Sequence, residues 1–206
     1  MVRKTKEEAE QTKNAILDAA LKVFCSKGYS RTTFDDIASS INLTKGAVYW
    51  HFKNKVDLLA EVIRKNFYNK HCKIQAWGEN VQTLDDLKEM QIKIANIVVE
   101  DENYRKFLFF VLFHMEWSEA IVKNIGPLIK EIRDLPLQEQ AKKLEYLKNK
   151  GEICEDADTF MLAKALRCSW NGALSYAITS DELLSFPSEV GVIFDLIFDG
   201  FRTKGK

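Results

Sequence analysis

Breaks in this chain are rare: three prolines and nine glycines are spread over 206 residues, and several stretches of more than twenty residues contain neither. These two residues are the strongest local punctuation a sequence has. A strand-and-turn architecture needs such punctuation every few residues, so an all-β fold is excluded and long helices are expected. Apolar types make up 46% and charged types 29%, which supplies a packed core and stands far from the composition of disorder. The expected fold is all-α, with about nine helices and no sheet.

Apolar spacing places the helices. Ile16, Ala19, Ala20, Val23 and Phe24 recur at i, i+3, i+4, i+7 and i+8, one stripe of a helix from about Glu7 to Lys27 that Gly28 ends. A threonine cap at Thr32-Thr33 precedes Asp35 and Asp36, with Phe34, Ile37, Ala38 and Ile41 as the buried face of a short second helix. Asn42 then tolerates the left-handed conformation of a tight turn. Thr44 caps a third short helix ending near Trp50, and Asn54 caps a fourth carrying Leu58, Leu59, Val62, Ile63 and Phe67. Further helices are expected over 84–100, 104–117, 157–178 and 188–203. Gly126-Pro127 reads as a helix start with proline near its first position, and Pro136 as a kink or split before Lys150-Gly151.

Net charge is zero, yet residues 1–55 carry +4 and residues 56–206 carry −4, which suits a basic module that meets a polyanion joined to a module with another task. Residues 33–50 match a helix-turn-helix, whose second helix enters the DNA major groove. Thr33 can cap its helix and also offer a hydroxyl and an N–H to a phosphate. Thr44 and Lys45 open the third helix, where a hydroxyl and a long cation reach base edges or flanking phosphates. Gly46 lacks a Cβ, which allows close approach to DNA at a cost of about 1 kcal/mol relative to alanine. Trp50 reads as a wedge near DNA or as a plug between helices, with packing preferred. Arg3, Lys4 and Lys6 form either a basic arm or a solvating tail.

Other classes find little support. Cys25, Cys72, Cys154 and Cys168 are far apart, and His51, His71 and His114 form no H-x-x-x-H pair, so no metal and no cofactor are expected, His71-Cys72 being the one remote ligand candidate. No nucleophile elbow, Walker loop or H-E-x-x-H occurs, so an enzyme is not expected. With no apolar run of secretory or spanning length, a cytoplasmic protein that meets no membrane is expected.

The stretch from Gly28 to Lys55, GYSRTTFDDIASSINLTKGAVYWHFKNK, resembles the DNA-binding domain of the TetR family of bacterial transcriptional repressors. Tyr49-Trp50-His51-Phe52 and the opening residues are most similar to its AcrR-type, multidrug-efflux branch. The likeness is dense over residues 3–60 and departs at Ile41-Asn42-Leu43, where many members carry Ala-Gly-Val. It implies a DNA-binding domain over 1–55, a linking helix over about 55–79, and a ligand-binding and dimerisation domain over 56–206. It also implies that Tyr49 and His51 donate to backbone phosphates of a double-stranded, palindromic operator, that Lys55 holds a phosphate, and that Val48 and Phe52 are core.

The same resemblance implies a homodimer formed by the last two helices, here through Trp170 and Leu174 with Phe194, Ile197, Phe198 and Phe201; a buried helix pair in a monomer is the alternative. It further implies a cavity for a hydrophobic or cationic small-molecule effector that releases the repressor. The aromatic candidates are Trp77, Phe107, Phe110, Phe113, Trp117 and Phe160, and the polar ones His114, Arg167, Asn171 and Glu116, although most of these rings also serve as core. A helical adaptor, or a regulator that answers to no small ligand, is the rival reading.

Overall fold

Threonine hydroxyls start most of the helices in the N-terminal half. In the computed structural model, which describes residues 5–115 and 118–202, Thr5 caps α1 (Lys6–Lys27), Thr33 caps α2 (Phe34–Ser40) and Thr44 caps α3 (Lys45–His51). After α4 (Lys55–Gly78), Thr83 caps α5 (Leu84–Glu100). At Thr5, Thr33 and Thr83 the carboxylate three residues on, Glu8, Asp36 or Asp86, accepts in return from the cap's own N–H. Two of the N–H groups that a helix start leaves unpaired are thereby satisfied at each site. The chain continues through α6 (Glu102–Phe109), a π-helical turn at Phe110–His114, α7 (Glu119–Asn149), α8 (Thr159–Thr179) and α9 (Phe186–Asp199). Among the described residues the architecture is all-α, and an isolated bridge joins Ile153 to Arg202.

Two compact units divide the chain. The first comprises Met1–Asn69 and Asn103–Leu128. Its core is the expected stripe of α1 with Phe34, Ile37 and Ala38 of α2, Val48 of α3, Phe52, and Leu58, Leu59, Val62 and Ile63 of α4, all buried. Residues 103–128 join this unit, whereas the sequence reading divides the chain at residue 55. The reason lies in the aromatics: Phe107 and Phe110 are buried, and the Phe110 ring stacks on Phe24 of α1 at 5.5 Å. Lys13–Glu61 and Lys65–Asp18, both 2.8 Å, tie α1 to α4.

The second unit comprises Lys70–Glu102 and Ile129–Lys206. Helix α9 packs against both α5 and α8. Leu84, Leu87, Ala95 and Val98 are buried on α5, and Phe186, Val190, Phe194 and Phe198 form the buried face of α9. Gly191 is there for contact: a Cβ on it would lie 3.2 Å from Ile92 Cδ1. Lys88–Asp195 at 2.7 Å and Arg202–Asp85 at 2.5 Å close the outer edge of the same packing.

Pro127 departs from expectation, and Pro136 does not split the helix. The helix starts at Glu119, and Pro127 and Pro136 lie inside one 31-residue helix. Each proline removes a backbone donor, but the helix carries buried Ile121, Ile125 and Leu128 before Pro136 and Leu144 and Leu147 after it, and tertiary burial outweighs propensity. The expected helix over 104–117 ends early, with α6 giving way to the π-helical turn at Phe110. Asn42 has φ 54°, the left-handed turn expected of it.

Asp36 links the α2 cap to acid stability. Lys27 Nζ donates to it at 2.5 Å, and Thr33 donates both its N–H and its hydroxyl. The lysine first, then these threonine bonds, hold the carboxyl at about 2 against an ordinary 3.8. A carboxyl that ionises at lower pH in the folded than in the unfolded chain stabilises the fold fully above about pH 4 and loses that contribution as pH falls toward 2. Denaturant unfolding at a series of pH values is expected to show Asp36→Asn less stable than the parent at pH 6, with the gap closing toward pH 2.

Candidate nucleic-acid interface

Helix α3 has one inward residue and a broad outward face. Val48 is fully buried, while Thr44, Lys45, Gly46, Tyr49 and Trp50 are exposed and Ala47 is partly so. Seven residues cannot hold a helix in water unaided, so its anchor is Val48 together with the cap, Thr44 Oγ1 accepting from Ala47 N–H at 3.3 Å. Helix α2 packs against both α1 and α3, and the turn at Asn42 separates α2 from α3. This is the geometry of a helix-turn-helix with α3 as its second helix.

The exposed face has the chemistry of a duplex reader. Lys45 projects outward with Nζ 5.9 Å from the Tyr49 ring centre, and that ring stands edge-on to Phe34 at 4.8 Å, which fixes the phenol. His51 is half-buried between Trp50, edge-on at 4.5 Å, and Phe52. Gly46 has no internal reason to be glycine: a Cβ there would meet nothing nearer than Thr44 Oγ1 at 3.8 Å. Trp50 corrects the preference for packing, since its side chain is 73% exposed. On a helix whose single inward position is taken by Val48, a residue two places on faces solvent.

Two expected phosphate contacts have other partners. The Thr33 N–H and hydroxyl both donate to Asp36, so the capping role takes both donors. Lys55 Nζ donates to the carbonyl oxygens of Tyr29, Ser30 and Thr32 at 2.8, 2.9 and 3.0 Å. An ammonium has three protons, and three carbonyls take them. The spacing of Lys55 in the motif carries no sign of this collar, because the acceptors are backbone atoms 23 to 26 residues away. Arg3 and Lys4 lie outside the described residues, and Lys6 opens α1.

The effector candidates fall in both units. In the first, Phe107 and Phe110 are core, Phe113 is partly exposed, and His114 sits 4.7 Å from the Phe109 ring. In the second, Trp77 and Arg167 are half-buried while Phe160 and Asn171 face solvent on α8. Glu116 and Trp117 lie outside the described residues. His71 approaches Glu139, Nε2 to Oε1 3.5 Å, and Cys72 beside it is exposed; among the described residues no three His, Cys, Asp or Glu side chains group as metal ligands.

The apolar residues of α8 and α9 are reassigned by burial. Leu174, Phe194 and Phe198 are fully buried in their own unit, and Trp170 packs on Phe186 at 5.2 Å. Leu174, Phe194 and Phe198 are therefore core within one chain, while Trp170, Ile197 and Phe201 are half-buried. The outward positions are not among the interface residues expected from the sequence: Met161, Ala165, Cys168, Gly172 and Tyr176 along α8, and Val192 and Leu196 on α9, the last 71% exposed. Periodicity marks an apolar stripe without telling which of two stripes faces inward. No helix among the described residues is long and apolar enough to cross a membrane.

Comparisons with known proteins bear on this arrangement. Residues 16–62, from mid-α1 into α4, match the family of bacterial regulatory proteins, tetR family. The transcriptional regulator AcrR of Shigella flexneri is 38% identical over 117 residues, 55% of this chain and 54% of AcrR; the chain spans about half the length of several curated relatives it matches. The transcriptional repressor BepR of Brucella suis is 26% identical over 98% of this chain and 92% of its own. Among solved structures, the SmeT–triclosan complex superposes with a TM-score of 0.81 and 25% identity, covering 95% of this chain and 93% of that one. The capped pair of short helices, the matched segment and the all-α course of the described residues agree: residues 16–62 carry the DNA-binding segment of the tetR family of bacterial regulatory proteins, and the chain is similar to its AcrR-type members.

Proposed function

We propose that this protein is a DNA-binding transcriptional repressor that reads a palindromic operator as a homodimer and leaves it when a hydrophobic small molecule binds. The observation that carries the reading is the outward face of α3, where Lys45, Gly46 and Trp50 are exposed and packing does not demand the glycine. A cation reaches phosphates or guanine edges, a missing Cβ admits the backbone to the groove, and an exposed ring contacts thymine methyls or sugars. One such helix covers only a few base pairs, so two copies about 34 to 36 Å apart are needed for useful affinity.

The outer stripe of α8 and α9 supports a second copy of this chain as the partner. Met161, Tyr176, Val192 and Leu196 are all more than half exposed, an apolar set that a monomer gains nothing by presenting. Ala165 and Gly172 lie on the same stripe and let a facing helix come close. For the effector, support comes from the likeness to SmeT, whose structure is a complex with triclosan and which represses a multidrug efflux pump of Stenotrophomonas maltophilia. Control of an efflux or detoxification operon follows as the physiological setting.

Fluorescence anisotropy with the duplex upstream of the protein's own gene, beside a scrambled duplex, tests the reading. Selective, salt-sensitive binding that triclosan weakens is expected; equal weak binding to both duplexes rejects it. In the same titration Lys45→Gln is expected to weaken binding and make its salt dependence shallower by about one phosphate contact per protomer. Gly46→Ala is expected to raise thermal stability slightly, by up to about 1 kcal/mol, while weakening operator binding at least tenfold. For the dimer, sedimentation of Leu196→Asp is expected to show a folded monomer at concentrations where the parent is dimeric.

A further inference from the structure

The α1–α2 loop, residues 28–33, is held from outside by one side chain. Lys55, the first residue of α4, reaches back over it and donates to three of its carbonyls, those of Tyr29, Ser30 and Thr32, at 2.8 to 3.0 Å. The same ammonium lies 4.6 Å from the centre of the Tyr29 ring, a cation–π contact. Around this collar the loop is tightly organised. Thr32 is 2% exposed, its hydroxyl donates to Gly28 O at 2.8 Å and its N–H to Tyr29 O at 3.2 Å, and the next residue, Thr33, is the cap of α2. The start of α4 is itself pinned, Asn54 Oδ1 accepting from Asp57 N–H at 2.9 Å and Asp57 accepting from Lys53 N–H at 3.1 Å.

We infer that Lys55 is a positioning residue for DNA binding: its ammonium clamps the α1–α2 loop, and so the N-terminus of α2, onto the start of α4, and it does not itself contact phosphate. The inference rests on the DNA-binding reading for its function and on the collar geometry for its chemistry. A tetrahedral ammonium can point three protons at three converging carbonyls, whereas a planar guanidinium cannot. The two roles therefore respond oppositely to arginine. At a phosphate contact arginine is at least as good a ligand as lysine; in the collar it is a misfit of the same charge.

The test compares the full-length protein with Lys55→Arg and Lys55→Met in operator binding over a series of salt concentrations, with Lys45→Gln as a phosphate-contact control. Amide hydrogen exchange at Thr32 and Thr33 is followed in parallel. Both Lys55 variants are expected to bind about tenfold more weakly or worse, with the slope of log affinity against log salt unchanged and exchange at the two amides accelerated. Lys55→Arg binding like the parent, or Lys55→Met losing about one unit of slope per protomer as a phosphate contact would, overturns the inference. If Lys55→Met does not fold, Lys55→Arg decides alone. If the parent binds no duplex, the repressor reading fails by itself, and the clamp then stands or falls on whether exchange at Thr32 and Thr33 accelerates in Lys55→Arg.

Discussion

Two helices of seven residues each form the helix-turn-helix of this protein, and a helix that short does not persist in water on its own. Everything around them supplies what their length cannot. Thr33 and Thr44 satisfy their first N–H groups, Phe34, Ile37, Ala38 and Val48 fasten them to the core, and Asn42 turns the chain between them in a conformation most residues avoid. Helices α1 and α4, with 22 and 24 residues, are the frame on which the short pair is mounted. The frame is joined by buried apolar contacts and by ion pairs of partly exposed side chains such as Lys13–Glu61, where the bond to Glu61 raises the lysine and the bond to Lys13 lowers the carboxylate. Such pairs set register more than they add stability.

Much of this was legible in the sequence, and the reasons are specific. The caps at Thr33 and Thr44, the stripe ending at Phe24 and the Asn42 turn are local signals, read within four to eight residues. The losses occur where the deciding partner is distant. Lys55 finds carbonyls on another loop, and Thr33 gives both donors to the Asp36 carboxylate, to which Lys27 also donates. In α8 and α9 the apolar residues exceed one stripe, and only packing against α5 and between the two helices themselves decides that Phe194 and Phe198 turn inward while Val192 and Leu196 turn outward. Pro127 as a helix start and Pro136 as a split failed for a related reason. Their cost in α7 is local, and the burial that outweighs it lies at Ile121, Ile125 and Leu128 and again at Leu144 and Leu147.

The aromatic richness of residues 107–113 divides by burial into two jobs. Phe107 and Phe110 are core, the latter stacked on Phe24. Leu112 and Phe113 are more than two-fifths exposed, on the π-helical turn, a geometry proteins keep mostly where it serves a use. Nearby, Cys25 donates its thiol to Lys106 O at 3.4 Å, and burial pushes its pKa up to about 11. That cysteine is a small apolar filler, without the thiolate that reactivity needs.

The outward face of α3 divides by how many tasks each residue performs. Thr44 also caps its helix and Tyr49 also rests on Phe34, so a change at either disturbs the fold as well as the surface. Lys45, Gly46 and Trp50 carry little of the fold's own packing. Natural variation can rewrite these three positions without endangering the scaffold, and under the proposed repressor function that would make them the route by which a duplicated copy of this protein acquires a different target sequence while keeping its architecture.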